Sequence, residues 1–205
     1  MNYEIREDRD GNVYVKDLAL ISVSSYDEVI AVINQGLKLR ATHETKMNAV
    51  SSRSHTVFTI TVVQRDRATG EAVSGKLNLV DLAGSERIKK SESTGIRMKE
   101  ALHINTSLTA LGKVVMSLDP SAGASHVPYR DSKLTRLLQN SLGGNSYTTV
   151  IATVHPVRKY MEECLSTLQF ANRCRNVQNM PRVNYLSDAT GGDPQKRIKK
   201  LLEEI

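Results

Sequence analysis

The sequence predicts an α/β fold in which a mostly buried sheet is covered by helices on both faces, and three observations predict it. Strand patterns at 56–64, 76–82 and 148–154 are interleaved with helical patterns at about 97–118 and 161–171. The 205 residues are 40% hydrophobic and 24% charged, which is a globular composition. No apolar run approaches the roughly 18 residues that cross a bilayer, so we expect no membrane segment.

The N-terminal part is predicted to contain short extended elements and one helix. Residues 12–23 are typical of a strand or an extended pair. A helix is expected from Ser25, because Ser25 and Glu28 match the capping-box pattern. The apolar residues of this helix fall on one face, and they are Val29, Ile30, Ile33 and Leu37. Residues 42–55 are polar and predict a loop.

The middle of the chain predicts a hairpin. Apolar residues alternate with threonines in 56–64, as in a half-buried strand. Residues 65–74 contain Thr69-Gly70-Glu71 and predict the connection. The largely apolar run 76–82 predicts a buried strand with Asp81 near its carboxyl end.

The later elements are mainly helical. The helix at 97–118 is followed by Pro120, and Asp131 or Ser132 can begin a second helix that Gly143-Gly144 closes. A third buried strand is expected at 148–154. One helix then holds both Cys164 and Cys174, about 15 Å apart, which is too far for a disulfide. Unpaired cysteines are typical of a reducing, intracellular compartment.

Two segments carry residues suited to phosphate chemistry. One is Asn48–His55, a loop rich in hydroxyl groups that leads into a strand, and the other is Asp81–Glu86, at a strand end. A strand-end acid can hold Mg²⁺ through water, hydroxyl oxygens are hard ligands for it, and a glycine lets a backbone N–H approach the γ-phosphate. Each pattern alone is common, but the two together favour nucleotide hydrolysis.

The same segments resemble the kinesin motor domain, a microtubule-stimulated ATPase. Residues 48–55 match switch I (N-x-x-S-S-R-S-H) and residues 81–86 match switch II (D-L-A-G-S-E). Residues 127–138 resemble the microtubule-binding loop and helix of the family, and 142–156 and 166–171 also match. The resemblance covers roughly residues 1–185 and implies a central sheet of the P-loop NTPase type, present as an incomplete C-terminal half.

The resemblance implies a role for each residue of the two switches. Ser52 would ligate Mg²⁺ and Asp81 would hold it through water, while Asn48 and Ser51 would help to place the phosphate and the attacking water. Arg53 would form a salt bridge with Glu86 when the switches close, and the Gly84 N–H would sense the γ-phosphate. The implied cofactors are ATP and Mg²⁺. The helix at about 97–118 would relay this sensing to the filament.

The resemblance also implies a filament-binding face and a linker. The net charge of +6 suits an acidic partner. Six cations would face acidic tubulin, although a solvated basic face is the simpler interpretation without the motif, and they are Arg87, Lys89, Lys90, Arg130, Lys133 and Arg136. The motor half would end at 185. Residues 186–193 would form a neck-linker-like segment, and 194–205 would begin a helix that can open a coiled coil and a homodimer.

One family motif is missing from these 205 residues. The phosphate loop G-x-x-x-x-G-K-[ST] has its glycine spacing only at Gly70–Leu77, where Leu77 replaces the hydroxyl and a strand follows. We therefore expect a fragment that neither binds ATP tightly nor hydrolyses it in isolation, because ATP and Mg²⁺ need the missing N-terminal half. We also expect the incomplete sheet to leave exposed inner edges that favour aggregation.

Three functional hypotheses follow. The first is an ATP-dependent microtubule motor of the cytoplasmic cytoskeleton, and the alternative is a non-catalytic microtubule-binding half-motor. The third is a nucleic-acid-binding protein. Sparse aromatics, at 4%, and the lack of helix-turn-helix, RNA-recognition and zinc patterns argue against it.

Overall fold

The computed structural model describes residues 3–8, 11–45, 54–84 and 96–186, with the backbone alone for 39–45 and 96–105. The chain divides into two compact units. Unit 1 consists of Met1–Lys16 and Ala83–Arg182, and unit 2 consists of Asp17–Leu82 and Val183–Ile205. In chain order the helices and strands are β1 (Ile5–Glu7), β2 (Val13–Val15), α1 (Tyr26–Thr45), β3 (Thr56–Arg65), β4 (Ala72–Asp81), α2 (Ile96–Ser117), α3 (Lys133–Leu137) and α4 (Met161–Cys174).

Unit 2 is built on the hairpin of β3 and β4. The two strands are antiparallel and pair without interruption from Thr56 opposite Asp81 to Arg65 opposite Ala72. The turn closes on Asp66, whose carboxylate accepts hydrogen bonds from the backbone N–H groups of Ala68 and Thr69. The predicted strand–turn–strand is therefore confirmed.

The expectation that 76–82 is a buried strand is wrong in one respect. The strand exists, but β4 is exposed from Gly75 to its end, and Leu77 and Leu79 are 53% and 52% exposed. The physical reason is that a two-stranded ribbon has no third layer to cover it. A side chain of such a strand meets its cross-strand partner and little else.

The cap of α1 follows the predicted residues with a shift. The Ser25 hydroxyl accepts a hydrogen bond from the Glu28 N–H, as expected. The Glu28 carboxylate, however, accepts from the backbone N–H of Ser24, one residue before the position that the capping box predicts. The helix continues to Thr45, so the loop predicted at 42–55 begins later than expected.

The core of unit 1 lies between α2, α3 and the loop after α3. Val114 and Val115 are completely buried, and the apolar cluster consists of Leu111, Val114, Leu134, Leu138 and Leu142. The predicted apolar face of the long helix is thus confirmed at Leu111 and Val115. Phe170 of α4 packs against the same cluster.

The helix predicted from 131 is shorter than expected because it changes geometry. Ser132 caps α3 by a capping box with Thr135, in which each side chain accepts from the backbone N–H of the other. A 3₁₀ turn at Gln139–Ser141 follows, and Gly143 then takes a left-handed φ of 81°. That conformation is one that glycine adopts readily, but α3 has already ended at Leu137, so the prediction that Gly143-Gly144 closes the helix is wrong.

One predicted strand is wrong and another is confirmed only in part. Residues 148–154 lie in no strand and are exposed, with Ile151 at 86%, because no strand among the described residues pairs with them. Of 12–23 only β2 is a strand, and it pairs with β1, which the sequence pattern did not predict.

The last helix agrees with prediction. Glu162 and Glu163 lie in the first turn of α4 and Arg173 in its last, the favourable sense for the helix dipole. Cys164 and Cys174 are both free thiols. None of the helices in the described ranges is long and apolar enough to cross a membrane.

Candidate functional site

The hairpin of unit 2 brings together the strand ends at which both predicted switch segments attach. Thr56, which follows directly on Asn48–His55, is the register partner of Asp81, which opens the segment Asp81–Glu86. Cα atoms of opposite residues in an antiparallel pair lie about 4.5–5.5 Å apart. The 25 residues from 56 to 80 separate the two motifs in sequence. The first motif therefore ends, and the second begins, at the same end of one two-stranded sheet.

The electrostatics at this end of the hairpin connect the two motifs. His55, the last residue of the first motif, is half-buried, and burial lowers the pKa of its imidazole. The negative charge of Asp81 acts in the opposite direction and raises the same pKa. The strand register, in which Thr56 next to His55 lies opposite Asp81, places both residues at the same end of the hairpin.

Most residues of the predicted site lie outside the described residues. They are Asn48, Ser51, Ser52, Arg53 and Glu86, and the basic residues Arg87, Lys89 and Lys90 share that status. Their assigned roles stay predictions. Of the two switches, Asp81 and Gly84 are described, the first exposed at the end of β4 and the second half-buried.

Of the residues predicted to hold Mg²⁺, the structure describes Asp81. The exposed carboxylate of Asp81 has the hard donor atoms that this ion prefers. No group of three or more His, Cys, Asp or Glu side chains gathers into a metal site within the ranges that the structure describes. The carboxylate of Asp81 therefore fits an ion of this kind.

Three cations of the predicted filament-binding face lie on unit 1 and differ in exposure. Arg130 is exposed on a short 3₁₀ turn, Tyr129–Asp131. Lys133 is exposed at the start of α3, and its Nζ donates to the carbonyl of Tyr3, 3.0 Å away. Arg136 is half-buried, and its Nε is buried with no hydrogen-bond partner among the described residues. Arg130 is therefore the cation of the three that is best placed to meet a partner.

Buried hydroxyl groups hold the turn that carries Arg130. Thr135 is completely buried and its Oγ1 donates to the carbonyl of Tyr129, 2.7 Å away. The phenol of Tyr129 donates in turn to the carbonyl of Leu142 at 2.5 Å. The basic turn is thus bonded on one side to α3 and on the other to the loop that follows it.

Sequence reasoning missed one polar side chain of this unit. Asn179, beyond the end of α4, makes four hydrogen bonds to the loop Ser141–Thr148. Its partners lie 31 to 38 positions earlier in the chain, so no local pattern marks it.

An α/β chain whose hairpin joins a hydroxyl-rich segment to a D-L-A-G-S-E segment is typical of the class of motor domains. The family model of the kinesin motor domain matches residues 1–177, and the chain belongs to this family.

Curated relatives agree with this assignment. The human kinesin-like protein KIF7 is 46% identical over 195 residues, which cover 91% of this chain and 14% of the relative. The kinesin heavy chain of Syncephalastrum racemosum is 47% identical over 203 residues, covering 99% of this chain and 21% of the relative. The kinesin-like protein KIN-4A of Gossypium hirsutum is 48% identical over 197 residues, covering 88% and 19%. The chain therefore spans about a fifth or less of the length of these relatives.

A solved structure agrees at the level of the fold. The chain superposes with a TM-score of 0.81 and 49% identity on a protein described as a fast kinesin, in a study of its ATPase mechanism and interactions with microtubules. The match covers 92% of this chain and 53% of that one. The predicted α/β, kinesin-like fold is confirmed over about half of a motor chain.

Proposed function

We propose that this chain is the part of an ATP-dependent microtubule motor that carries both switch segments and a filament-binding face. The observation that carries the proposal is the register of the hairpin, in which Thr56 lies opposite Asp81. It anchors the two segments that would close around a terminal phosphate at the same sheet end. A γ-phosphate contacted by both segments can then change them together.

The chemistry would be divided between the two segments. Bound Mg²⁺ would neutralise charge that develops on the phosphate oxygens. Ser52 and, through water, Asp81 would hold the ion, while Asn48 and Ser51 would orient the phosphate and the attacking water. The Gly84 N–H would detect the γ-phosphate, and an ion pair of Arg53 with Glu86 would close the site.

The filament-binding face would act by charge. Arg130, Lys133 and Arg136 would meet the acidic surface of tubulin, together with the predicted cations Arg87, Lys89 and Lys90. Exposure supports Arg130 most strongly, because a cation in solvent can reach a partner without breaking an internal contact. Such a partner would bring the protein to the microtubule cytoskeleton.

The segment after the motor half would be a linker. Ser74 N–H donates to the Asn184 carbonyl at 2.9 Å, and Leu186 N–H donates to the Ala72 carbonyl at 2.8 Å. Tyr185 thus forms an antiparallel bridge with Val73 at the start of β4. This pairing brings the chain to β4 at Leu186, where the proposed neck-linker-like segment 186–193 would begin. A helix at 194–205 that can form a homodimeric coiled coil would follow it.

Co-sedimentation with microtubules tests the filament-binding part of the proposal. We expect the chain to pellet with microtubules and Arg130→Glu to weaken its affinity about 5- to 50-fold, since reversal of an exposed interface charge removes attraction and adds repulsion. Arg158→Glu, the same change in charge at another exposed arginine of unit 1, is the matched control and should alter affinity less than twofold. Equal effects of the two variants would mean that binding depends on the overall charge of the chain and not on the proposed face.

Removal of the acidic tubulin tails and addition of salt complete the test. Both should weaken binding, because an exposed electrostatic contact is screened. If DNA of the same charge competes as well as microtubules do, the chain is a general polyanion binder and the proposal fails.

ATP turnover separates the motor from the alternative, a non-catalytic microtubule binder. The sequence has no G-x-x-x-x-G-K-[ST] loop within its 205 residues, so the chain alone should show no microtubule-stimulated turnover. Mixed with a polypeptide that carries that loop, a motor half should bind microtubules with an affinity that depends on the nucleotide. A pure binder should be insensitive to it.

A further inference from the structure

The side chain of Asn179 is a junction between the end of α4 and the loop Ser141–Thr148. Its Oδ1 accepts from the Gly143 N–H at 2.7 Å. Its Nδ2 lies 3.2 Å from the Ser141 carbonyl, 3.1 Å from the Thr148 hydroxyl and 3.3 Å from the Ser146 hydroxyl. One half-buried amide thereby uses its acceptor and both of its N–H groups.

The orientation of this amide follows from its partners. A backbone N–H can only donate, so the atom that faces Gly143 must be the oxygen. A carbonyl can only accept, so the atom that faces Ser141 must be the nitrogen. No other side chain of this size presents an acceptor and a donor in this way, which makes the site specific for asparagine.

The loop that Asn179 binds is held in one shape by close packing. A Cβ at Gly143 would lie 2.6 Å from Leu118 Cδ2, and one at Gly144 would lie 2.8 Å from the backbone of Asn140. Both contacts are shorter than real Cβ atoms make. The Gly143 N–H is therefore presented to Asn179 by a loop with little freedom to move.

The residues after Asn179 continue along the same loop. Met180 N–H donates to the Gly144 carbonyl at 2.9 Å, and Arg182 N–H donates to the side chain of Asn145 at 2.5 Å. Pro181, between them, has no N–H to contribute. These are the last residues of unit 1.

We propose that Asn179 is a positioning residue, a latch that fixes the path of the chain as it leaves unit 1. Its bonds to the rigid loop hold Met180 and Arg182 in register with Gly144 and Asn145. The consequence for a moving linker rests on the proposed function. The proposed linker, 186–193, begins four residues beyond Arg182, and the latch would fix the start of the path that leads to it.

Residue-resolved hydrogen exchange on the 205-residue chain tests the latch. In Asn179→Ala we expect the Gly143, Met180 and Arg182 amides to exchange about tenfold faster or more, because the bonds that close this junction are lost. The Leu138 amide, which donates to Leu134 within the core, should change less than twofold. Gln178→Ala, at the exposed neighbouring position, is the matched control and should leave all four amides unchanged.

Asn179→Asp separates hydrogen bonding from packing. The aspartate has the same size but at neutral pH offers an oxygen to the Ser141 carbonyl, so it should accelerate the Met180 and Arg182 amides at least as much as alanine does. If Asn179→Asp behaves like the unsubstituted chain, or if Leu138 accelerates in step with Met180, the latch is refuted.

Microtubule co-sedimentation of the same variants keeps the two proposals apart. Asn179→Ala should bind microtubules like the unsubstituted chain, because Asn179 lies outside the proposed basic face. If the unsubstituted chain does not bind microtubules, the proposed function fails, and the exchange rates still decide whether Asn179 is a latch.

Discussion

Single polar residues hold together the part of unit 1 that carries the basic turn. Thr135 is completely buried. Burial of its polar groups costs little free energy, because its hydroxyl donates to the Tyr129 carbonyl and its backbone N–H donates to the Ser132 hydroxyl. Tyr129 joins this small network to the carbonyl of Leu142. The position of Arg130 therefore depends on two hydroxyl groups beside it and not on its own contacts.

Tyr129→Phe should destabilise the chain in a manner that depends on pH. Loss of the bond to Leu142 should cost about 1 kcal/mol at pH 8. Burial raises the pKa of Tyr129 above 10.0, so the folded state favours the neutral phenol. Its contribution to stability is full below about pH 10 and is lost as the pH rises through the raised pKa of the folded state.

The measurement is the free energy of unfolding in urea at pH 8 and at pH 10.5 or above. The difference between the unsubstituted chain and Tyr129→Phe should shrink at the higher pH. Tyr147→Phe, at a side chain that is 92% exposed, should show little difference at either pH. A gap for Tyr129→Phe that is constant with pH would contradict the burial of this phenol.

At the scale of elements, a glycine in a helix and a glycine in a loop should respond differently to replacement by alanine. Gly112 lies within α2, and a Cβ built on it meets nothing within 4 Å. Gly144 lies in the loop after α3, and its Cβ would clash with the Asn140 backbone. The same substitution should therefore change stability in opposite directions.

Gly112→Ala should stabilise the chain by about 0.5–1 kcal/mol, because alanine loses less backbone entropy in a helix. Gly144→Ala should destabilise it by about 1–3 kcal/mol, since backbone atoms must move to make room. Thermal and urea unfolding of the pair measure both. Loss of stability in both variants would contradict the open space around Gly112.

The hairpin shows how far an element can be predicted. Alternation in 56–64 and the Thr69-Gly70-Glu71 turn predicted β3, β4 and their connection. The burial of β4 could not be predicted, because an apolar run indicates what a strand can pack against and not whether that layer is present. For the same reason 148–154 has the composition of a buried strand and lies in none.

At the scale of the whole molecule, exposed apolar surface on the hairpin should limit solubility. Val62, Leu77 and Leu79 are 58%, 53% and 52% exposed on a two-stranded ribbon. Apolar strands of this kind favour association with other chains. Leu79→Thr introduces a β-branched residue, which strands favour, and removes apolar surface, so it should reduce self-association.

Light scattering of the purified chain as a function of concentration measures this effect. Leu79→Thr should raise the concentration at which the chain associates about two- to fivefold. Met116→Gln, at a side chain of α2 that is 51% exposed, is the control outside the hairpin and should have little effect. Equal effects of the two variants would mean that the chain does not associate through the apolar surface of the hairpin.

The candidate site divides in the same way between what sequence predicts and what it does not. Two short motifs, each read from neighbouring residues, indicated Asp81 and Gly84. Nothing local indicated that Thr56 lies opposite Asp81, that Lys133 bonds to Tyr3, or that Asn179 bonds to Ser141. The last two contacts join residues 130 and 38 positions apart.

The amino-acid sequence by itself determined the helix starts, the alternating strands, the switch-like motifs and, through them, the family. These features depend on residues that are close in the sequence, so the residue types and their spacing are enough to predict them. Only the tertiary structure decided the hairpin register at the site, the exposure of β4 and the hydrogen bonds of Asn179. Those features depend on which distant segments meet, and the free energy of such contacts comes from the folded chain as a whole.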